Sequence, residues 1–224
     1  MQIASYIDHT ILKPTCLISD VERVCTEAAE YGFAAVCIPP PFVKRAKIIL
    51  GATTVKVATV IGFPFGYAPI ESKVAETVLA IVDEADELDM VINLIALKNG
   101  DWEYLQKEIN LVSDIVKQKK RLIKVIIESG VLSSEEIIKC CSLYGKAGAD
   151  FVKTSTGYAE KGASLETVQL MRKHLPSSVR IKASGGIRTY EFAKQLVEAG
   201  ADRLGASASV GIVKEEKAFK LRMQ

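Results

Sequence analysis

Two lysines occupy positions where a folded chain must strip water from them. Lys153 closes the run Ala149-Asp-Phe-Val-Lys153 and is followed by Thr154-Ser-Thr-Gly157, while Lys182 closes Val179-Arg-Ile-Lys182 and is followed by Ala183-Ser-Gly-Gly186. Burial disfavours the ammonium form of a lysine and lowers its pKa, and a second ammonium close by acts in the same direction. The outcome is a neutral amine able to attack a carbonyl carbon, the opening step of Schiff-base chemistry. A lysine that merely extends its ammonium from a strand end to solvent does none of this. One such lysine would favour that plainer reading; two in parallel contexts, each ahead of a glycine-containing turn, favour the reactive one.

Asp89 is the third candidate. It lies in Leu88-Asp-Met-Val-Ile-Asn93, where strand alternation puts Asp89, Val91 and Asn93 on one face and Leu88, Met90 and Ile92 on the other. With the apolar set against helices, Asp89 points inward and needs a cation, because an isolated buried carboxylate is costly. Lys182 and Lys124 are the candidate partners, and a purely structural pair with Lys124 is the competing reading. An anion site is also legible. Gly185-Gly186 precedes a helix expected to begin near Thr189, and Gly205-Ala-Ser207 precedes what reads as another short helix, so free backbone N–H groups and helix dipoles would face a phosphate. Arg188 adds either charge or an exposed cap. Gly157, Gly185, Gly186, Arg188, Gly205 and Ser207 are the candidate binding residues.

Eight strand-like runs position these groups: near Tyr6–His9, Ala34–Ile38, Val55–Ile61, Leu88–Ile92, Leu122–Ile127, Phe151–Thr154, Val179–Ala183 and Arg203–Gly205. Several are continuously apolar, as parallel strands covered by helices are. Helical stripes fall between them: Val21, Val24, Cys25, Ala28; Ile137, Cys141, Tyr144; and Trp102, Leu105, Ile109, Val112, Val116 on the longest helix. Ser19-x-x-Glu22 and Ser133-x-x-Glu136 read as capping boxes. Gly32, Gly148 and Gly200 end helices just ahead of strands, and Val82-Asp-Glu-Ala-Asp86 fills the same slot without glycine. One strand–helix unit used eight times predicts a (β/α)8 TIM barrel, whose chemistry sits at the carboxyl ends of its strands. An open doubly wound sheet is disfavoured, since no G-x-G-x-x-G follows the first strand.

Composition bounds the rest. The chain has 224 residues, 49% hydrophobic and 25% charged, enough for one domain over residues 1–224. With a net charge of +2 and only Lys117-Gln-Lys-Lys-Arg121 as a basic cluster, nucleic acid is not an expected partner. No leader-like N-terminus and no stretch approaching the roughly 18 apolar residues of a span argue against a membrane. Five cysteines without a C-x-x-C pair suggest a reducing, cytoplasmic setting, and Cys25 and Cys141 read as packing residues. Two distant histidines, His9 and His174, are too few for a histidine-rich zinc site. A Ser-His-Asp triad would have to use one of them, and no G-x-S-x-G turn supports it.

The strand-end motifs resemble those of the deoxyribose-phosphate aldolase family. The likeness runs through Ile7-Asp-His-Thr-Ile-Leu-Lys-Pro14, Val60-Ile-Gly-Phe-Pro-Phe-Gly66, Glu87-Leu-Asp-Met-Val-Ile-Asn93, Lys124-Val-Ile-Ile-Glu128, Phe151-Val-Lys-Thr-Ser-Thr-Gly157 and Ile181-Lys-Ala-Ser-Gly-Gly-Ile-Arg188. The resemblance implies that Lys153 forms the Schiff base and that Lys182 and Asp89 move protons. It further implies a cofactor-independent, cytoplasmic, often dimeric enzyme that takes a small sugar phosphate and acetaldehyde and uses no metal. Two departures stand out: the rigid Pro39-Pro40-Pro41 after Cys37, and Tyr158 where some members carry lysine. The rivals are another Schiff-base aldolase on the same barrel and a catalytically dead barrel that senses a sugar phosphate; binding alone needs no paired lysines.

Overall fold

Strands hydrogen-bond in chain order and close on themselves in a computed structural model that describes residues 2–222. Among these residues the eight strands are β1 (Ile7–Thr10), β2 (Ala35–Ile38), β3 (Lys56–Ile61), β4 (Glu87–Val91), β5 (Leu122–Ile126), β6 (Phe151–Lys153), β7 (Arg180–Ser184) and β8 (Arg203–Ala206). Every pairing is parallel, and β8 returns to β1 with Asp8 opposite Gly205. Each expected strand forms, with its ends displaced by at most one residue. The helices outside the barrel are α1 (Ile18–Tyr31), α2 (Val43–Leu50), α3 (Ile70–Val82), α4 (Leu94–Lys98), α5 (Trp102–Gln118), α6 (Ser134–Lys146), α7 (Leu165–His174), α8 (Tyr190–Glu198) and α9 (Ser209–Arg222). This is the (β/α)8 barrel that the repeated unit predicts. None of the described helices is long and apolar enough to cross a membrane.

The apolar stripes pack as the 3.6-residue period requires. Val21, Val24, Cys25 and Ala28 of α1, Leu105, Ile109, Val112 and Val116 of α5, and Ile137, Cys141 and Tyr144 of α6 are buried against the outer face of the sheet. Leu88, Met90 and Ile92 join them there, so Asp89 does face inward. Inside the barrel Cys37, Ala58 and Val60 form a small apolar cluster covered by Leu12 and Phe63. Alternation also turns buried Val91, Ile126 and Phe151 inward, the last beneath the guanidinium groups of Arg180 and Arg203, and an ionic cluster fills the space between.

Helix starts are mixed. Ser133 and Glu136 form the expected box, with Ser133 Oγ accepting from Glu136 N and Glu136 accepting from Ser133 N at 2.7 Å. Ser19 and Glu22 do not. The helix begins earlier, at Ile18, and the carboxylate that reaches back is Asp20, which accepts from Leu17 N at 3.1 Å and pairs with Lys13. Ser19 thereby falls within the first turn of the helix, exposed to solvent. The final helix is also longer than expected, fourteen residues from Ser209. Pro39-Pro40-Pro41 leads into a 3₁₀ turn over Pro40–Phe42. At the helix-to-strand junctions, Gly148 has φ +68°, and Glu84 takes the same left-handed conformation at φ +71° in the junction that lacks glycine.

The amino-terminal end of the barrel holds a device that the repeats Gly148-Ala-Asp150 and Gly200-Ala-Asp202 foreshadow. The residue before each of β4, β6 and β8 is an aspartate whose carboxylate accepts from a backbone N–H of the preceding strand. The bonds are Asp86 to Val57 N at 2.8 Å, Asp150 to Ile123 N at 2.9 Å and Asp202 to Ile181 N at 2.8 Å. Each ties two strands into a unit. Asp150→Ala removes one such acceptor and is expected to cost about 1–3 kcal/mol, read as a lowered urea midpoint with an unchanged m-value. A midpoint shift within error would show that water replaces the carboxylate.

Candidate active site

Asp89 is the hub of the interior. Its Oδ2 accepts from Lys153 Nζ at 2.9 Å and from Lys182 Nζ at 2.8 Å, and its Oδ1 accepts from Lys124 Nζ at 2.7 Å. Both expected partners are present, and so is Lys153, which inward alternation on β6 delivers opposite Lys182 on β7. Lys182 lies in the middle of β7 rather than at its end, fully buried. The structural pair with Lys124 and the pairing of the two candidate catalytic lysines therefore coexist on one carboxylate.

A second tier lies beneath. Lys182 also meets Asp8 Oδ2 at 2.5 Å, and Lys124 meets Glu87 Oε2 at 2.6 Å. Arg203 bridges Asp8 Oδ1 and Glu87 Oε1. Glu87 and Arg203 escaped the sequence reading. The signal that could have found Glu87 is its two-residue offset from Asp89, which puts both on the inward face. Arg203 is signalled only by register, since it sits opposite Lys182 across β7 and β8.

Burial pushes the carboxyl of Asp89 up, but Lys124, Lys153 and Lys182 outweigh it and hold it well below the ordinary range. Asp8 behaves alike, brought down to about 2 by Lys182, Lys124 and Arg203 against its burial. Lys182 does not follow the rule that burial lowers a lysine: desolvation works against its charge, yet Asp8 and Asp89 win and raise it above the ordinary value. The two carboxylates thus favour its ammonium form at rest. Cys37, with its thiol 3.9 Å from Asp89 Oδ2, is pushed up by burial and stays a thiol.

Lys153 opens onto a cavity of about 220 Å³ at the carboxyl ends of the strands. Gly157, Gly185, Gly186, Arg188, Gly205 and Ser207 all line it, so every candidate binding residue converges with Lys153 on one space. Two of the glycines have steric reasons beyond backbone N–H exposure. At Gly185 (φ +90°) a Cβ would come within 2.9 Å of Gly162 Cα, and at Gly205 it would meet Ser184 Cβ at 2.9 Å and Lys182 Cε at 3.2 Å. Helix α8 begins after Thr189, whose hydroxyl accepts from Phe192 N, just past the Gly185-Gly186 turn.

Other residues brace the walls. Glu128, at φ +52°, accepts from Thr156 N at 3.2 Å and from the Thr156 hydroxyl; burial pushes its carboxyl up. Tyr158, the residue that stands where some aldolases carry lysine, donates its hydroxyl to Leu12 O at 2.9 Å and sits edge-on to Phe63, 5.4 Å between centroids. The carboxyl end of β4 is braced by a further buried pair: Lys73 donates to Val91 O at 2.7 Å and meets Glu108 at 2.5 Å, and Glu108 accepts from Asn93 N. Among the described residues no group of three or more His, Cys, Asp or Glu is placed to hold a metal ion.

Fold and site together define an enzyme of the (β/α)8 class, with its polar cavity at the carboxyl ends of the strands. The family model of the DeoC/LacD family aldolases matches residues 2–219, and the chain belongs to that family. It is 53% identical over 218 residues to the deoxyribose-phosphate aldolase of Caldanaerobacter subterraneus subsp. tengcongensis, covering 97% of this chain and 94% of the relative. It is 54% identical to that of Bacillus mycoides, covering 95% of each. Among solved structures, the tetrameric deoxyribose phosphate aldolase of Aeropyrum pernix superposes with a TM-score of 0.91 at 33% identity, covering 97% of this chain and 92% of that one.

The depressed pKa of Asp8 sets an acid-stability prediction. A carboxyl held at about 2 when folded, against 3.8 unperturbed, contributes stability that is complete above about pH 4 and fades as pH falls toward 2. The stability gap between wild type and Asp8→Asn should therefore be widest at pH 5 and narrow by pH 3, measured by urea unfolding at each pH. A gap independent of pH would mean that Asp8 is not ionised in its pairs with Lys182 and Arg203.

Proposed function

We propose that this protein is a class I aldolase that reversibly cleaves 2-deoxy-D-ribose 5-phosphate to D-glyceraldehyde 3-phosphate and acetaldehyde through a Schiff base on Lys153. The observation that carries this reading is the placement of Lys153. It shares Asp89 Oδ2 with the ammonium of Lys182, and of the buried ionic residues it is the one that lines the cavity. Lys124, Lys182 and Arg203 pair with the carboxylates of Asp8, Glu87 and Asp89, whereas Lys153 meets Asp89 alone. The named relatives supply the substrate, and the cavity walled by glycine turns suits its phosphate.

In the synthetic direction, the Lys153 amine adds to the carbonyl carbon of acetaldehyde, and loss of water from the carbinolamine leaves an iminium. Loss of a methyl proton gives the enamine, whose carbon attacks the aldehyde of glyceraldehyde 3-phosphate. Water then hydrolyses the product iminium and frees the amine. Lys182, charged at rest and bonded to the same Asp89 oxygen as Lys153, lends a proton and recovers it as the cycle closes, with Asp89 between the two amines. The iminium is the electron sink, so the reaction calls for no cofactor. The reading extends to one barrel domain over the chain, serving deoxyribose phosphate catabolism in the cytoplasm, a setting that five free thiols suit. A homodimer belongs to it as well, with self-association supported by the tetrameric Aeropyrum pernix relative.

Two measurements test this function. Acetaldehyde with borohydride should label the Lys153 peptide; Lys153→Leu should abolish that label, and Lys182→Leu should move labelling to higher pH, because one fewer cation leaves the carboxylates able to hold Lys153 charged. Label on Lys182 in the wild type, or an unshifted profile, overturns the assignment. Separately, Ser207→Asp should raise KM for the phosphorylated sugar far more than for free deoxyribose, since a carboxylate would face the anion. Equal losses would place the phosphate elsewhere.

A further inference from the structure

The fold assembles a serine, a histidine and an acid that no sequence motif announces. His9 Nδ1 lies 2.9 Å from Ser209 Oγ, and His9 Nε2 lies 2.7 Å from Glu27 Oε2. The arrangement mimics a hydrolytic triad, yet it cannot act as one. Ser209 is fully buried, and its Oγ sits 2.8 Å from Ala206 O, within donating distance. A nucleophile must reach a substrate; this hydroxyl reaches only protein.

Hydrogen-bond accounting shows what the arrangement does instead. Glu27 and the Ala206 carbonyl can only accept, so the protons between them must come from the ring and the hydroxyl. With the imidazolium, both ring nitrogens donate and Ser209 donates to Ala206. With the neutral ring, Nε2–H remains on Glu27, Nδ1 accepts, and the Ser209 hydroxyl turns toward it. Only in the setting where Nδ1–H donates to Oγ does the Ser209 hydroxyl donate to the Ala206 carbonyl, 2.8 Å away, and that is the bond that ties the turn to the ring. His9 is itself opposite Ala206 in the β1–β8 register. Its ring packs on Phe33 at 5.1 Å, and Arg23 holds Glu27 at 3.0 Å from the next turn of α1. The chain of contacts thus runs from α1 through β1 to the start of α9, and it ends on Ala206, which with Ser207 lines the cavity that Lys153 enters.

We propose that His9, held by Glu27 and acting through Ser209, is a positioning residue that fixes the Ala206–Ser207 turn for the phosphate of the substrate. It touches neither the phosphate nor the reacting carbons. This inference rests on the reading above that the phosphate binds at this turn. A loosened turn still leaves Lys153, Asp89 and Lys182 in place, because their bonds involve neither His9 nor Ser209.

The test is the split between two sugars. Ser209→Ala should raise KM for 2-deoxyribose 5-phosphate by about tenfold, the value of one lost positioning bond. The value of kcat on that substrate, and kcat/KM on free 2-deoxyribose, should change by less than about twofold. His9→Leu should reproduce Ser209→Ala, while His9→Asn, whose amide can still donate toward Ser209, should recover part of the loss. A role confined to stability would lower the melting temperature of all three variants without separating the sugars. Equal losses on both sugars, or a His9→Asn no better than His9→Leu, overturn the proposal. Borohydride labelling of the wild type with acetaldehyde involves no phosphate. Its failure would remove the aldolase reading itself, whereas labelling together with unseparated sugars would remove only the role given to His9 and Ser209.

Discussion

A carboxylate that is fully buried and ionised must be surrounded by charge, and Asp89 meets that requirement with three lysines from three different strands. Lys124, Lys153 and Lys182 come from β5, β6 and β7, and none of them is near Asp89 in sequence. The carboxylate can therefore be satisfied only when the barrel is closed in the correct register. The dependence is mutual. Without it, the Lys124 and Lys182 ammonium groups would lose a shared counter-ion in a dry interior. The barrel interior accordingly carries a cluster of alternating charges among a few apolar side chains, and the larger apolar core is the layer between sheet and helices, where the stripes of α1, α5 and α6 lie.

This division explains how two lysines on adjacent strands acquire different characters. Lys182 is enclosed by Asp8 and Asp89 and keeps its proton. Lys153 has one carboxylate contact, shared with Lys182, and sits where the ionic interior gives way to the cavity. Burial alone does not set the character of a lysine; the number of carboxylates each one meets matters as much, and here that number falls toward the open end of the barrel.

Much of this was legible before any coordinates. The strands were readable because parallel strands covered by helices are apolar runs, and their ends moved by no more than a residue. The inward face of Asp89 follows from simple alternation, and the six candidate binding residues line one cavity because loops at one end of a barrel converge. What could not be read depends on partners distant in sequence. Alternation says that Lys124 points inward but not that Glu87, Asp89 and Asp8 all lie within its reach, and Arg203 becomes visible only through the β7–β8 register. Ser19 misled because the capping pattern was met in its spacing while Asp20, one turn position away, had the better geometry and a lysine partner. Lys182 departs from the expected direction for a deeper reason. Its desolvation is legible in the run it closes, whereas the two carboxylates that reverse the sign belong to β1 and β4.

Gly205 shows where these constraints meet. From sequence it reads as a phosphate-binding glycine, valued for an exposed backbone N–H. In the barrel its missing side chain is also the space through which the Lys182 stem passes, since a Cβ there would lie 3.2 Å from Lys182 Cε and 2.9 Å from Ser184 Cβ. Asp8, opposite Gly205 across β1 and β8, is the same carboxylate that holds the Lys182 ammonium. One strand pair thus lets Lys182 through at Gly205, anchors its charge at Asp8, and one residue later offers Ala206 and Ser207 to the cavity. A side chain at Gly205 would press on both Ser184 and the Lys182 stem, so this one position constrains the ionic interior while its neighbours face the cavity.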